Sequence, residues 1–153
     1  MTKKQYGEAV ERLAPSLRRI AYALVRNEHD AQDAVQQALL SIWARREHVE
    51  AERLKPYLTR AVINACRDIQ RTRQRVTPME TLPEETYQPP DGALRDAVER
   101  LPEELRLPLL LHYMEGYKLA EIAGSLGQSL PQLTSRLFRA RKMLRRMLEE
   151  AEA

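Results

Sequence analysis

The 153-residue chain is 43% hydrophobic and 31% charged, with five glycines, one cysteine and a formal net charge of +3. That is the make-up of a soluble globular protein, and no apolar run approaches the roughly eighteen residues of a membrane span. A lone Cys66 excludes a disulfide within the chain, and His29, His48 and His112 lack the paired spacing of a zinc site.

The opening "MTKKQYGEAVERLAPSLRR" lacks the apolar core and cleavage site of a secretory signal, so the cytoplasm is the expected compartment. A first helix is predicted over Lys3–Val25, with Tyr6, Val10, Leu13, Leu17, Ile20 and Leu24 recurring every three or four residues. Pro15 is expected to break or kink it. A second helix is predicted after Asp30 as N-cap, burying Ala31, Ala34, Val35, Ala38, Leu39, Ile42 and Trp43. Its outward face, Asp33, Gln36, Gln37 and Leu40, carries no basic residue. Such a face suits a protein partner better than DNA, the alternative being a plain polar face with one stray leucine.

A third helix is predicted from Arg53 to Arg75, with Leu54, Tyr57, Leu58, Ala61, Ala65 and Ile69 inward. Opposite them run Arg60, Asn64, Arg67, Arg71 and Arg75, either a nucleic-acid surface or a solvated stripe. Residues 76–92, "VTPMETLPEETYQPPDG", have four prolines, four acidic residues and no helical period, which reads as an acidic flexible linker. Fully extended, that segment reaches about 56 Å.

Beyond it, helices are predicted at Gly92–Arg100, Pro102–Glu115, Leu119–Leu126 and Ser129–Glu150. Pro102 suits a first helical turn, whereas Pro108 is expected to kink its helix by removing a backbone donor. The last two helices have the pattern of a helix-turn-helix. Ala123 is the small residue and Gly127 the turn residue tolerating positive φ. Ile122, Leu126, Leu130, Leu133 and Leu137 are the apolar lock, and Ser129 can cap the closing helix, with Pro131 in its first turn.

On that closing helix Gln132, Ser135, Arg136 and Arg139 fall on one face. A guanidinium can pair with guanine O6 and N7, Gln132 with adenine, and Phe138 can touch a thymine methyl. Arg141, Lys142, Arg145 and Arg146 lie further along, where phosphates would run. The alternative is a solvated basic face, and for Phe138 a core contact. No strand pattern, internal repeat, P-loop, dinucleotide fingerprint or nucleophile elbow is present, so neither catalysis nor a cofactor is expected.

Three stretches in this order resemble the extracytoplasmic-function (ECF) sigma factors of bacterial RNA polymerase: "DAQDAVQQALLSIW", "YLTRAVINACRDIQRTRQR" and the closing "GYKLAEIAGSLGQSLPQLTSRLFRARKMLRR". The resemblance implies an all-α protein of two small domains. Residues 1–75 would form a three-helix domain binding core polymerase and the minus-ten element, 76–92 a linker, and 93–153 a four-helix domain binding the minus-thirty-five element. The second helix would dock on the β′ coiled coil through Asp33, Gln36, Gln37 and Leu40.

The loop Arg46–Arg53 and the third helix would read the minus-ten element around a flipped base. Arg53, Tyr57, Arg60 and Asn64 are the candidates there, and Arg67 and Arg71 would hold phosphates. Ser129, Gln132, Ser135, Arg136, Phe138, Arg139 and Lys142 are the candidates at the upstream element. Glu103–Tyr117 would meet the β flap, and an anti-sigma factor is a further implied partner. Gln32 and Gln37 replace usual acids, Pro131 and Gln132 replace Gly-Thr, and Thr134 stands where a cation is common, so promoter preference is expected to differ. Two other functions fit the same pattern: a sigma-like decoy for an inhibitor, and a stand-alone regulator using only the rear domain.

Overall fold

The apolar period of the first segment carries α1 (Lys3–Val25) through Pro15 without a break. The proline ring lies on the exposed face, where water can meet the carbonyl that loses its donor. The helix opens with a capping box: Thr2 Oγ1 accepts from the Gln5 N–H at 3.1 Å, and Gln5 Oε1 accepts from the Thr2 N–H at 3.0 Å. It closes at Arg26, a left-handed residue with φ 56° whose N–H donates to the Tyr22 carbonyl.

The second helix, α2 (Glu28–Ala44), starts earlier than expected. Asn27, in extended backbone, is the N-cap, its Oδ1 accepting from the Asp30 N–H at 3.0 Å. Asp30 sits instead in the first turn, at the positive end of the helix dipole, with its carboxylate buried against Arg73. Two 3₁₀ turns, Arg46–His48 and Ala51–Arg53, lead into α3 (Leu54–Val76). The three helices pack on one another around Leu17, Ile20, Ala34, Leu58, Val62 and Cys66. The alanines Ala31, Ala34 and Ala38 let α2 lie close to its neighbours. Gln70 Nε2 donates to the Leu24 carbonyl at 2.7 Å, meeting an acceptor that the end of α1 leaves open. Tyr57, expected inward, is 39% exposed, and Val62 and Ile63 occupy the core in its place.

In the rear half α4 (Gly92–Arg100) and α5 (Glu103–Leu109) precede a π turn, Leu110–Met114. Pro102 is the N-cap of α5, not a residue of its first turn, and its carbonyl accepts from Leu105 and Arg106. The single helix expected to Glu115 is divided, because Pro108 has no N–H for the Glu104 carbonyl and the chain widens just beyond it. Glu115 N–H reaches back to the Leu110 carbonyl at 3.1 Å, and Gly116 at φ 70° turns the chain so that Tyr117 is buried. Then follow α6 (Leu119–Leu126) and α7 (Leu130–Glu152). Leu101, Leu105, Leu109 and Ala140 form the core, with Val98, Leu144 and Met147 packed against it.

The computed structural model describes residues 1–76 and 92–152, the side chains of residues 75, 76 and 152 excepted. Val76 closes α3 and Gly92 opens α4, so the ends of the expected linker are helical, and residues 77–91 lie outside the described residues. The fold is all-α, in two compact units, one holding α1–α3 and the other α4–α7. Among the described residues no helix is long and apolar enough to cross a membrane.

Candidate nucleic-acid interface

The geometry of the α6–α7 turn follows from Gly127, which at φ 65° adopts the left-handed conformation that a side chain disfavours. Its N–H and that of Gln128 both return to the Ala123 carbonyl, closing α6. At the other end of α6 Glu121 Oε1 accepts from the Lys118 N–H at 2.9 Å. Helix α7 begins with a second capping box. Ser129 Oγ accepts from the Gln132 N–H at 3.3 Å, and Gln132 Oε1 accepts from the Ser129 N–H at 3.1 Å.

Ile122, Leu133 and Leu137 are buried and hold the two helices together. Leu126 is half-buried, but Leu130 is 49% exposed and does not belong to the lock. One turn into α7, Leu133 takes up the inward direction, and Leu130 points off its edge.

The outer side of α7 presents Ser135, Phe138, Arg139 and Lys142, all exposed, with Arg136 half-buried at its margin. Phe138 is 60% exposed, which removes the core contact as its explanation. The amide oxygen of Gln132 is engaged by the cap, leaving Nε2 as the free end of a group that needs both ends to pair with adenine. Arg141 donates to the Tyr113 hydroxyl and so is held against the π turn.

On α3 the polar stripe faces outward as its spacing requires: Arg60, Asn64, Arg67 and Arg71 are exposed, while the Arg75 side chain lies outside the described residues. Tyr57 joins the same stripe. Arg53, just before α3, lies 3.6 Å from the Glu50 carboxylate. A hydrogen bond with Tyr57 and then the Glu50 charge hold its guanidinium above the usual range. Arg71 pairs with Asp68.

The α2 face has Gln36 and Gln37 exposed and Leu40 69% exposed, with Asp33 half-exposed beside His29 at 3.5 Å. An apolar side chain that open on a charge-poor face leaves most of its surface to water. Sequence reading missed the cluster at the end of α2. The Arg46 guanidinium lies 3.9 Å from the Trp43 ring centre, and Trp43 in turn packs on Tyr6, ring centres 5.4 Å apart. The three-residue spacing of Trp43 and Arg46 was the available signal. Among the described residues no group of His, Cys, Asp or Glu could hold a metal ion.

Two helical units, each with an outward basic helix face and one carrying a helix-turn-helix, define an all-α DNA-binding protein. Residues 9–76 match the family model of sigma-70 region 2, and residues 91–144 that of sigma-70 region 4. The chain is 35% identical over 152 residues to the RNA polymerase sigma-E factor of Streptomyces coelicolor, with 94% of this chain and 86% of that protein covered. It is 31% identical over 155 residues to the ECF RNA polymerase sigma factor SigE of Mycolicibacterium smegmatis, covering 92% of this chain but only 60% of that protein. A similar fold occurs in the sigma factor RpoE of Bartonella quintana, solved in complex with the anti-sigma factor NepR. There the TM-score is 0.74 at 23% identity, with 95% and 98% of the two chains covered. The chain belongs to the ECF sigma factors of RNA polymerase, the alternative sigma factors that direct transcription initiation.

Proposed function

We propose that this chain joins core RNA polymerase in the cytoplasm as a non-catalytic promoter-specificity subunit and directs it to a two-part promoter. The observation that carries the reading is the division of exposed faces: cationic on α3, cationic on α7, and charge-poor with Leu40 open on α2. In this reading Asp33, Gln36, Gln37 and Leu40 dock on the β′ coiled coil, and the segment Glu103–Tyr117, whose Tyr113 and Met114 are exposed, meets the β flap.

Tyr57, Arg60 and Asn64 with Arg53 contact the minus-ten element, and Arg67 and Arg71 its phosphates. Extruding a base costs a few kcal/mol, which contacts from this stripe must offset. Ser135, Phe138 and Arg139 meet base edges of the minus-thirty-five element, with Arg136 at the margin. Lys142 meets phosphate, and Ser129 and Gln132 shape the helix start. The units 1–75 and 93–153 thereby divide the promoter between them. Likeness to a fold solved with an anti-sigma factor supports an inhibitory protein as a further partner.

The test is run-off transcription from a genomic template library with purified core enzyme and this chain. Specific transcripts that require the chain are expected. Absence of both a holoenzyme complex and any transcript would overturn the reading.

A further inference from the structure

The segment between α2 and α3 has little to fix its shape. Neither of its 3₁₀ turns buries a residue, and its backbone–backbone bonds are local, His48 to Arg45, Val49 to Arg46 and Arg53 to Glu50; the one longer reach is the Met1 ammonium, which donates to the Arg46 carbonyl at 3.4 Å. At its exit Leu54 is buried and anchors the start of α3. At its entry the anchor is Arg46. The guanidinium covers the Trp43 ring at 3.9 Å while Nη1 donates to the Trp43 carbonyl at 3.0 Å, placing the cation at the negative end of α2. Beneath it Trp43 packs on Tyr6, whose hydroxyl donates to the Leu39 carbonyl at 2.6 Å. The stack therefore runs from α1 through α2 to the first residue of the loop.

We infer that Arg46 is a positioning residue that fixes the entry of the Arg46–Arg53 loop, not a DNA contact, despite lying in a cationic stretch. The inference rests on the reading that this loop and α3 contact the minus-ten element. A guanidinium face laid on an aromatic ring, with one edge on a carbonyl, would have to leave both to grip a phosphate. Its charge acts inside the fold, where it sets the angle at which the loop leaves α2.

The test compares Arg46→Met, which keeps the stem and removes the cation, with Arg46→Lys, which keeps a cation but loses the planar fork. Trp43 is the one tryptophan of the chain, so its fluorescence reports the stack directly. In the free chain, Arg46→Met is expected to make Trp43 emission more quenchable by acrylamide, and its effect on promoter opening is read in holoenzyme. It should also lower permanganate reactivity of minus-ten thymines about tenfold, the combined worth of a stacked cation and a charged hydrogen bond. Arg46→Lys should fall between.

The salt dependence of promoter binding should keep its slope. A slope lowered by about one would mark Arg46 as a phosphate contact and overturn the inference, as would unchanged opening with Trp43 uncovered. Arg53→Ala and Asn64→Ala, measured alongside, separate the two levels. If they alter minus-ten preference and Arg46→Met does not, only the positioning role fails. If none alters it, the loop reading fails and takes the inference with it.

Discussion

Gln132 separates two uses of one side chain by magnitude. Its amide oxygen accepts from the Ser129 N–H at 3.1 Å while its own N–H donates to Ser129 Oγ at 3.3 Å, both on the exposed first turn of α7. Replacing Gln132 with Ala removes one half of this box, worth about 0.5–1 kcal/mol of helix stability. In a unit of this size that lowers the melting temperature by about 2–8 °C. Binding to the upstream element should weaken by about two- to fivefold, equally for every base pair offered. A bidentate pair with adenine would behave otherwise: its loss costs about 1–3 kcal/mol at one position and nothing elsewhere. Gln132→Glu keeps the acceptor that the box needs, so it should melt like the parent while binding all sequences more weakly through charge repulsion. The assay is competition binding of holoenzyme to a duplex panel with each base pair varied in turn, alongside thermal melts of the chain. A tenfold loss of preference for adenine at a single position, with an unchanged melt, would refute the capping argument.

Leu40→Asp should leave the melt within about 0.5 kcal/mol of the parent, since the side chain is 69% exposed, yet weaken core polymerase binding at least roughly tenfold in a pull-down titration. Phe138→Ala should likewise fold normally and lose about fourfold in affinity, the worth of one buried methyl. Replacing thymine by uracil in the upstream element should weaken the parent by the same factor and leave Phe138→Ala indifferent, so equal sensitivity of both proteins would exclude the methyl contact. Burial holds the Tyr6 hydroxyl above its ordinary value of 10.0, so the folded state favours the neutral phenol. Its contribution is complete below about pH 10 and is lost as pH rises through the folded value, and Tyr6→Phe melts should lack that part of the alkaline decline.

What the sequence made legible were faces. The period of Leu17, Ile20 and Leu24 fixed the inner side of α1, and Gly127 with Ile122, Leu133 and Leu137 fixed the helix-turn-helix, because these depend only on residues a turn or two away. Boundaries and pairings were less legible. Asn27 and Asp30 are both good caps, and the choice between them is settled by Arg73, which lies far along the chain and draws the Asp30 carboxylate inward. Tyr57 and Leu130 fit an apolar period but stand beside the first turn of their helices, where the core has already curved away. Pro108 was legible as a disturbance, but the π turn that accommodates it reflects packing of Leu111 and Tyr117 that no local rule supplies.

The same distinction governs how the positive charge of the front unit should be counted. By sequence, Arg46, Arg53, Arg60, Arg67, Arg71 and Arg73 are six equal members of its larger set of cations. In the fold they fall into three groups. Arg46 lies on half-buried Trp43, and Arg73 holds a carboxylate whose side chain is only 10% exposed, so freeing either would uncover its partner. Arg53 and Arg71 pair with acids three residues earlier, both largely in solvent, where screening leaves such pairs weak. A phosphate outcompetes them. Arg60 and Arg67 are exposed on the same stripe. Of these six, four are therefore available to DNA on this face, and with about 0.7 ions released per single-strand phosphate they contribute about 3 to the salt slope, where all six would contribute about 4. The electrostatic reach of the unit is decided less by how many arginines it has than by which of them the fold already holds.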